Sequence, residues 1–177
     1  MLADFIKVYK ALDSEYCRGI INLFEHNKTH HVRNDNMVQC FTEWNLTRHT
    51  PESVQHGFSN ILMDVLDKYK SDVPECKYYP EQLALEEFRV KRYVADTGEQ
   101  FNWHVDVGDI NSSKRYLAFL FYLNDNFEGG ETIFDGTTIK PIKGSVLVFP
   151  PTWQYPHRGC PVSMGSKYIM STYLNYT

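Results

Sequence analysis

The sequence predicts an α+β fold, mainly β, in which short strands curl into a sandwich or closed roll and N-terminal helices pack against one sheet. Three observations lead there. Helical periodicity is confined to the first 82 residues, whereas short strand-like runs separated by turns fill residues 83–177. Aromatic residues make up 15% of the chain, with twelve Tyr and eleven Phe, more than a plain helical bundle needs; they suit strands and a ring-lined pocket. A length of 177 residues fills one core and falls short of two, so a single domain over 1–177 is expected, with helical support in 1–82 and a strand core in 83–177.

The elements follow in order. Residues 1–12 read as a lead-in or short strand, with Phe5, Ile6 and Val8 as apolar content. Asp13 and Ser14 are good caps for a helix in which Tyr16, Ile20, Leu23 and Phe24 share one face. KTHHVRNDNM is polar and loop-like, and MVQCFTEWNL alternates weakly, as a strand would. Thr50-Pro51-Glu52 starts a second helix, Thr50 as cap and Pro51 at the first helical position, with an apolar stripe from Val54 through Phe58, Leu62 and Leu66 to Tyr69. SDVPECKYYPEQ is a loop, either a surface connection or part of a substrate mouth.

From Glu86 the pattern changes to strands. EEFRVKRYVA puts Phe88, Val90 and Val94 on one face and Arg89, Lys91 and Tyr93 on the other. KRYLAFLFYLND and KGSVLVFPP are near-continuous apolar runs, the mark of strands buried on both faces. ETIF and TTIKPI flank Asp135-Gly136 as a tight hairpin, and SKYIMSTYLNY is the last strand.

A net charge of −4 gives no general attraction to phosphate backbones or anionic lipid, so nucleic acid is not an expected partner. Cys17, Cys40, Cys76 and Cys160 form no metal-binding spacing and read as reduced thiols. MLADFIKVYK lacks the layout of a secretory signal, and no apolar run is long enough to span a membrane; a cytoplasmic protein is expected. The sequence carries no signal for an oligomeric state.

The chemistry concentrates in WHVDVGD and PHRGCPVSMGSKYIMSTYL. In an extended strand His104 and Asp106 project into the same space. With His157 they would make two imidazoles and one carboxylate, a facial set that leaves coordination positions open and is typical of non-haem Fe(II) oxygenases. Each piece alone is weak, since a lone strand histidine is usually a hydrogen-bonded core or surface residue. Lys167 shares a face with Ile169, Ser171 and Tyr173, and Tyr122 with Ala118 and Leu120. If both faces turn inward, an ammonium and a phenol sit in an apolar pocket, and the ammonium needs a counter-charge. Glu131 is one candidate. A diacid co-substrate is another, with one carboxylate on the metal and one on Lys167.

The segments KRYVADTGEQFNWHVD, KRYLAFLFYLND, FEGGETIF, IKPIKGSVLVFP and PHRGCPVSMGSKYIMSTYL stand in one order. In that order the stretch from Phe88 to Tyr173 resembles the 2-oxoglutarate- and Fe(II)-dependent oxygenases of the prolyl 4-hydroxylase-like branch. The resemblance implies a double-stranded β-helix (jelly roll) catalytic core. It implies His104, Asp106 and His157 as iron ligands, and Lys167 as the base pairing with the distal carboxylate of 2-oxoglutarate. Tyr122 matches a family tyrosine bonded to that carboxylate, and Tyr93 one that faces the metal end of the co-substrate. Fe(II), 2-oxoglutarate and O2 are the implied cofactor and co-substrates, with ascorbate as activator. The implied reaction is hydroxylation of an unactivated C–H, most directly of a prolyl residue in a peptide or protein, with release of succinate and CO2. A free amino acid or other small molecule is the alternative substrate, and a non-catalytic jelly-roll binding module the alternative class. Arg89 and Lys91, on the Tyr93 face, are expected toward the substrate mouth.

Overall fold

The lead-in forms an edge strand: β1, Lys7–Lys10, runs antiparallel to residues 145–148. The computed structural model describes residues 2–177, with side chains from Asp4 onward; the first residue of the predicted lead-in, Met1, lies outside the described residues. Val8 is exposed, while Tyr9 turns in and its hydroxyl donates to Asp72 Oδ2 at 2.9 Å. Asp13 caps α1, Ser14–His26, its Oδ1 accepting from the Tyr16 amide at 2.7 Å. The buried row is Cys17, Ile20 and Phe24. Leu23, expected on that face, is exposed because it falls at the edge of the i, i+3, i+7 row.

The segment predicted as a loop over 28–37 contains a strand. β2, Val32–Asp35, pairs with β3, Gln39–Asn45. Its mostly exposed side chains carry no apolar alternation; backbone pairing and the Arg33–Glu99 ion pair hold it instead. A short α2, Leu46–His49, capped by Asn45, was not apparent from the sequence. It changes the start of α3, Glu52–Asp72. Thr50 closes α2, its hydroxyl donating to Leu46 O at 2.8 Å, and Pro51 takes the cap position of α3 rather than the first helical one. Phe58, Leu62, Val65, Leu66 and Tyr69 form the buried stripe of α3. Ser71 and Asp72, expected in the following loop, belong to α3, and residues 73–82 are a connection docked on the helical side, not part of a mouth. Cys76 is buried, Tyr79 meets the Tyr116 ring edge-on at 5.1 Å, and none of these residues lines the cavity described below.

The strand half begins with β4, Ala84–Leu85, β5, Arg89–Val94, and β6, Gln100–His104. It continues through β7, Arg115–Tyr122, β8, Glu128–Gly129, β9, Thr132–Phe134, and β10, Thr137–Ile139. β11, Ser145–Phe149, β12, His157–Gly159, β13, Val162–Met164, and β14, Ser166–Asn175, complete it. Asp135-Gly136 makes the expected tight hairpin, with Thr137 opposite Phe134 and Gly136 at φ 75°. β8, β12 and β13 are too short for alternation to mark them.

The main sheet runs β1-β11-β7-β14-β5-β3-β6-β12-β9-β10, with β2 beside β3 and β4 beside β14, while β13 and β8 pair separately. The sheet curls on itself. Phe41, Tyr93, Tyr122, Phe134, Phe149 and Ile169, drawn from six strands, meet in one inner cluster. The opposite faces of the same strands present Trp44, Val90, Phe119, Val148 and Met170 to Phe24, Phe58 and Leu66 of the helices. Burial of each such side chain contributes roughly 1.5–3 kcal/mol. The two burials explain why β7 and β11 are apolar without alternation. The fold is therefore the expected mainly β jelly roll, with N-terminal helices packed on one sheet. No helix of the described residues is long and apolar enough to cross a membrane.

Candidate metal centre

β6 carries His104 to the inner face and ends there. Asp106 lies beyond the strand, so the same-face argument that linked the two residues does not set its position. Backbone anchors do: the Asp106 amide donates to Pro151 O at 3.1 Å, and its carbonyl accepts from Arg115 Nη1 at 2.9 Å. His157, at the start of β12, is the direct cross-strand partner of His104, and the two ring centroids are 4.3 Å apart. His104 Nε2 is 3.5 Å from Asp106 Oδ1, and His157 Nε2 is 3.8 Å from Asp106 Oδ2. One ligand atom from each residue lies within 4.8 Å of the other two.

The histidines are oriented by their other nitrogens. His104 Nδ1–H donates to Asn102 O at 2.6 Å and His157 Nδ1–H to Tyr155 O at 3.1 Å. A carbonyl can only accept, so both Nε2 atoms keep free lone pairs aimed at the shared space. The His104 ring stacks on Phe101 at 3.5 Å, and His157 packs against Phe134 and Phe149. Burial pushes His157 toward its neutral, ligating form. Burial works the other way on Asp106, but the imidazoles of His104 and His157 and the ammonium of Lys91 outweigh it and hold that carboxyl down to about 2.

Lys167 projects from β14 opposite Tyr93 and is 3% exposed. Its Nζ donates to Gly130 O at 2.6 Å and lies over the rings of Tyr93 and Tyr122, 5.6 and 5.7 Å from their centroids. Gly130 stands at φ 69°, and a Cβ there would come within 2.9 Å of the Phe127 ring and 3.1 Å of Lys167 Cδ. Gly130 of FEGG is thus what lets a carbonyl approach the amine. Burial pushes Lys167 down to about 8, with Cys160 and Glu131 opposing from a distance. The hydrogen-bond partner is the Gly130 carbonyl rather than the Glu131 carboxylate.

Of the six residues singled out from the sequence, His104, Asp106, His157, Lys167 and Tyr93 line one cavity. Tyr122 stands behind it, its hydroxyl sharing a 2.8 Å hydrogen bond with Thr132 Oγ1, and Thr132 lines the wall. Lys91 lines the cavity too, while Arg89 lies only in the wider polar opening outside it. Sequence reasoning missed Thr132, Phe101 and Tyr173. Tyr173 was findable, because it lies six residues past Lys167 on the same strand face. Its hydroxyl donates to Asp106 Oδ1 at 3.0 Å, and Arg115 lies over its ring at 4.0 Å. Tyr173→Phe should weaken divalent metal binding by roughly 10-fold, the lower end of what loss of such a ligand-orienting partner costs, as read by Mn(II) titration; an unchanged Kd would remove Tyr173 from this role.

The family model of the 2OG-Fe(II) oxygenase superfamily matches residues 88–175. Among curated proteins, the chain is 30% identical over 118 residues to "Probable prolyl 4-hydroxylase 9" of Arabidopsis thaliana, a match covering 50% of this chain and 40% of that protein. It is 29% identical over 108 residues to "Prolyl 4-hydroxylase subunit alpha-1" of Gallus gallus, covering 51% of this chain and 20% of the other. The chain thus spans less than half the length of these relatives. Solved structures share the fold across nearly the whole chain. The viral collagen prolyl hydroxylase of Paramecium Bursaria Chlorella virus-1, in a 2OG complex, superposes with a TM-score of 0.70 at 21% identity, covering 98% of this chain and 97% of that one. A Trichoplax adhaerens prolyl hydroxylase, in complex with a hypoxia inducible factor peptide fragment, gives 0.73 at 16% identity, covering 97% and 84%.

Proposed function

The chain belongs to the 2OG-Fe(II) oxygenase superfamily through residues 88–175, and on that premise we propose that it hydroxylates a prolyl residue of a peptide or protein, residues 1–177 working as one domain. The observation that carries the reading is the convergence of two imidazoles and a carboxylate in the same cavity as a buried lysine. The residues fit the group the family uses. Two neutral imidazole nitrogens and one carboxylate suit a borderline divalent metal, and three protein ligands leave positions open. The roles follow the donor set: His104, Asp106 and His157 hold Fe(II), while Lys167 receives the distal carboxylate of 2-oxoglutarate. When bound, Fe(II), 2-oxoglutarate and O2 supply the oxidising power that turns C–H into C–OH as 2-oxoglutarate is split to succinate and CO2, ascorbate keeping the metal ferrous.

The chain's own groups prepare that chemistry. The Asn102 and Tyr155 carbonyls fix the imidazole tautomers, and the Tyr173 hydroxyl steadies the carboxylate. Lys167, held by the Gly130 carbonyl, gains a full counter-charge when the diacid arrives. Thr132 lines the same cavity with the Tyr122 hydroxyl bonded to it from behind, so this pair offers a further donor, and Tyr93 completes the wall beside Lys167. Phe101, Phe134 and Phe149 keep water off the ligand rings. Prolyl substrates are supported by the four similar proteins described above, each a prolyl hydroxylase by name and one of them seen with a peptide. The four cysteines are free thiols, which supports a reducing, cytoplasmic setting. In the deciding experiment, Fe(II), ascorbate and 2-oxoglutarate are supplied with a library of prolyl peptides. Substrate-stimulated succinate and +16 products are expected. Their absence across the library, with 2-oxoglutarate consumption intact, would remove proline as the target.

A further inference from the structure

Lys91 sits on β5, opposite Ile169 of β14, on the same face as Tyr93. It is only 8% exposed, yet it lines both the cavity of the metal ligands and the wider polar opening outside it. Lys167, by contrast, lines the inner cavity alone. Lys91 therefore stands where the two spaces join, together with Phe101, His104, Asp106, Ser171 and Tyr173.

The opening carries three cations, and two are already neutralised. Arg89 pairs with Glu43 at 3.2 Å and with Glu87 at 2.8 Å. Arg115 holds both oxygens of Glu86, at 2.7 and 2.8 Å. Lys91 makes no hydrogen bond or ion pair with any described residue; its Nζ rests over the rings of Phe41 and Phe101, 5.2 and 5.8 Å from their centroids. Glu43 is committed to Arg89, and Asp106 to its imidazoles and Tyr173. A buried ammonium without a hydrogen-bonded counter-ion is costly, and chain carboxylates a few residues away have gone to other cations. The distal end of a diacid co-substrate already has its counter-charge in Lys167.

The geometry points to a primary substrate that carries a carboxylate beside its reacting carbon, with Lys91 as the counter-ion. This rests on the prolyl hydroxylase reading. The carboxylate is either the side chain of an acidic residue next to the target proline or the main-chain carboxyl of a terminal or free proline. Phe101 links the two events, because its ring centroid lies 5.8 Å from Lys91 Nζ and its ring stacks on His104 at 3.5 Å. A substrate anion on Lys91 is thereby held next to the metal face.

The test uses the iron-loaded protein with 2-oxoglutarate and ascorbate on paired substrates. The pairs are Asp against Asn, and Glu against Gln, before or after proline, and C-terminal or free proline against its amide. In at least one pair the acid is expected to exceed the carboxamide in kcat/KM by about tenfold, the size of one partly screened ion pair. Which pair shows it identifies the source of the carboxylate. Lys91→Met should bring the ratio to within about twofold and Lys91→Arg should keep it, with KM for 2-oxoglutarate tracking neither change. The inference is overturned if no pair differs in the wild-type protein, if Lys91→Met keeps the preference, or if its main effect is on 2-oxoglutarate. Should no prolyl peptide react while free proline does, the peptide reading fails. The comparison of proline with its amide then still decides the role of Lys91.

Discussion

Asp106→Asn abolishes turnover and costs more metal affinity than the roughly 10–100-fold that follows loss of a ligand's hydrogen-bond partner. The substitution keeps the shape of the side chain and both backbone anchors, the bond to Pro151 O and the one from Arg115, so the bend that presents residue 106 remains. What it removes is the negative charge. The other two ligands are neutral imidazoles, and Lys91 stands close enough to oppose a dication. Without the carboxylate, a 2+ ion would enter a cavity whose formal charges are all positive. Mn(II) titration and succinate release check the result, with urea unfolding as the control for folding. A variant that bound metal within tenfold of the wild type would mean that the ion sits elsewhere.

Lys167→Met is expected to raise KM for 2-oxoglutarate by roughly 30-fold or more, because losing one side of a desolvated charge pair costs roughly 2 kcal/mol at the low end. The same change has the opposite effect on stability of the ligand-free protein. In the folded chain the Lys167 amine titrates at about 8 rather than near its usual value because it is buried. For a base lowered on folding, the destabilisation is fully present below the folded value and is relieved as pH rises from about 8 toward the unfolded value of about 10.4. Wild-type protein should therefore gain stability over that window relative to Lys167→Met, and at pH 7 the variant should need more urea to unfold. Loss of the donor to Gly130 O trims that gain by roughly 1 kcal/mol. Parallel stability profiles of the two proteins between pH 7 and pH 10 would show that the amine does not carry this cost.

These two residues also mark what reading the chain could and could not reach. Period-two alternation grouped Lys167 with Ile169, Ser171 and Tyr173 on one face of the long, regular β14, and all four line the cavity, but alternation did not decide that this face turns inward. Asp106 was paired with His104 for a reason that does not hold, because β6 ends at His104 and contacts from residues 115 and 151 set the carboxylate. Weak alternation likewise hid β2 and the three-residue β12 and β13, which are held by neighbours rather than by their own pattern.

By itself the sequence determined the kinds of side chain available, the apolar runs that must be buried on both faces, and the helical stripe that covers one side of the sheet. Those are local properties, governed by periodicity and by the chemistry of each residue. Only the tertiary structure decided which groups meet: His157 across from His104, the Tyr173 hydroxyl on Asp106, the Gly130 carbonyl on Lys167, and glutamates that claim Arg89 and Arg115 while leaving Lys91 to the cavity. Alternation tells which side of a strand a residue faces, but what stands opposite is set by strand register and by the curl of the sheet, and those depend on contacts between residues far apart in the chain.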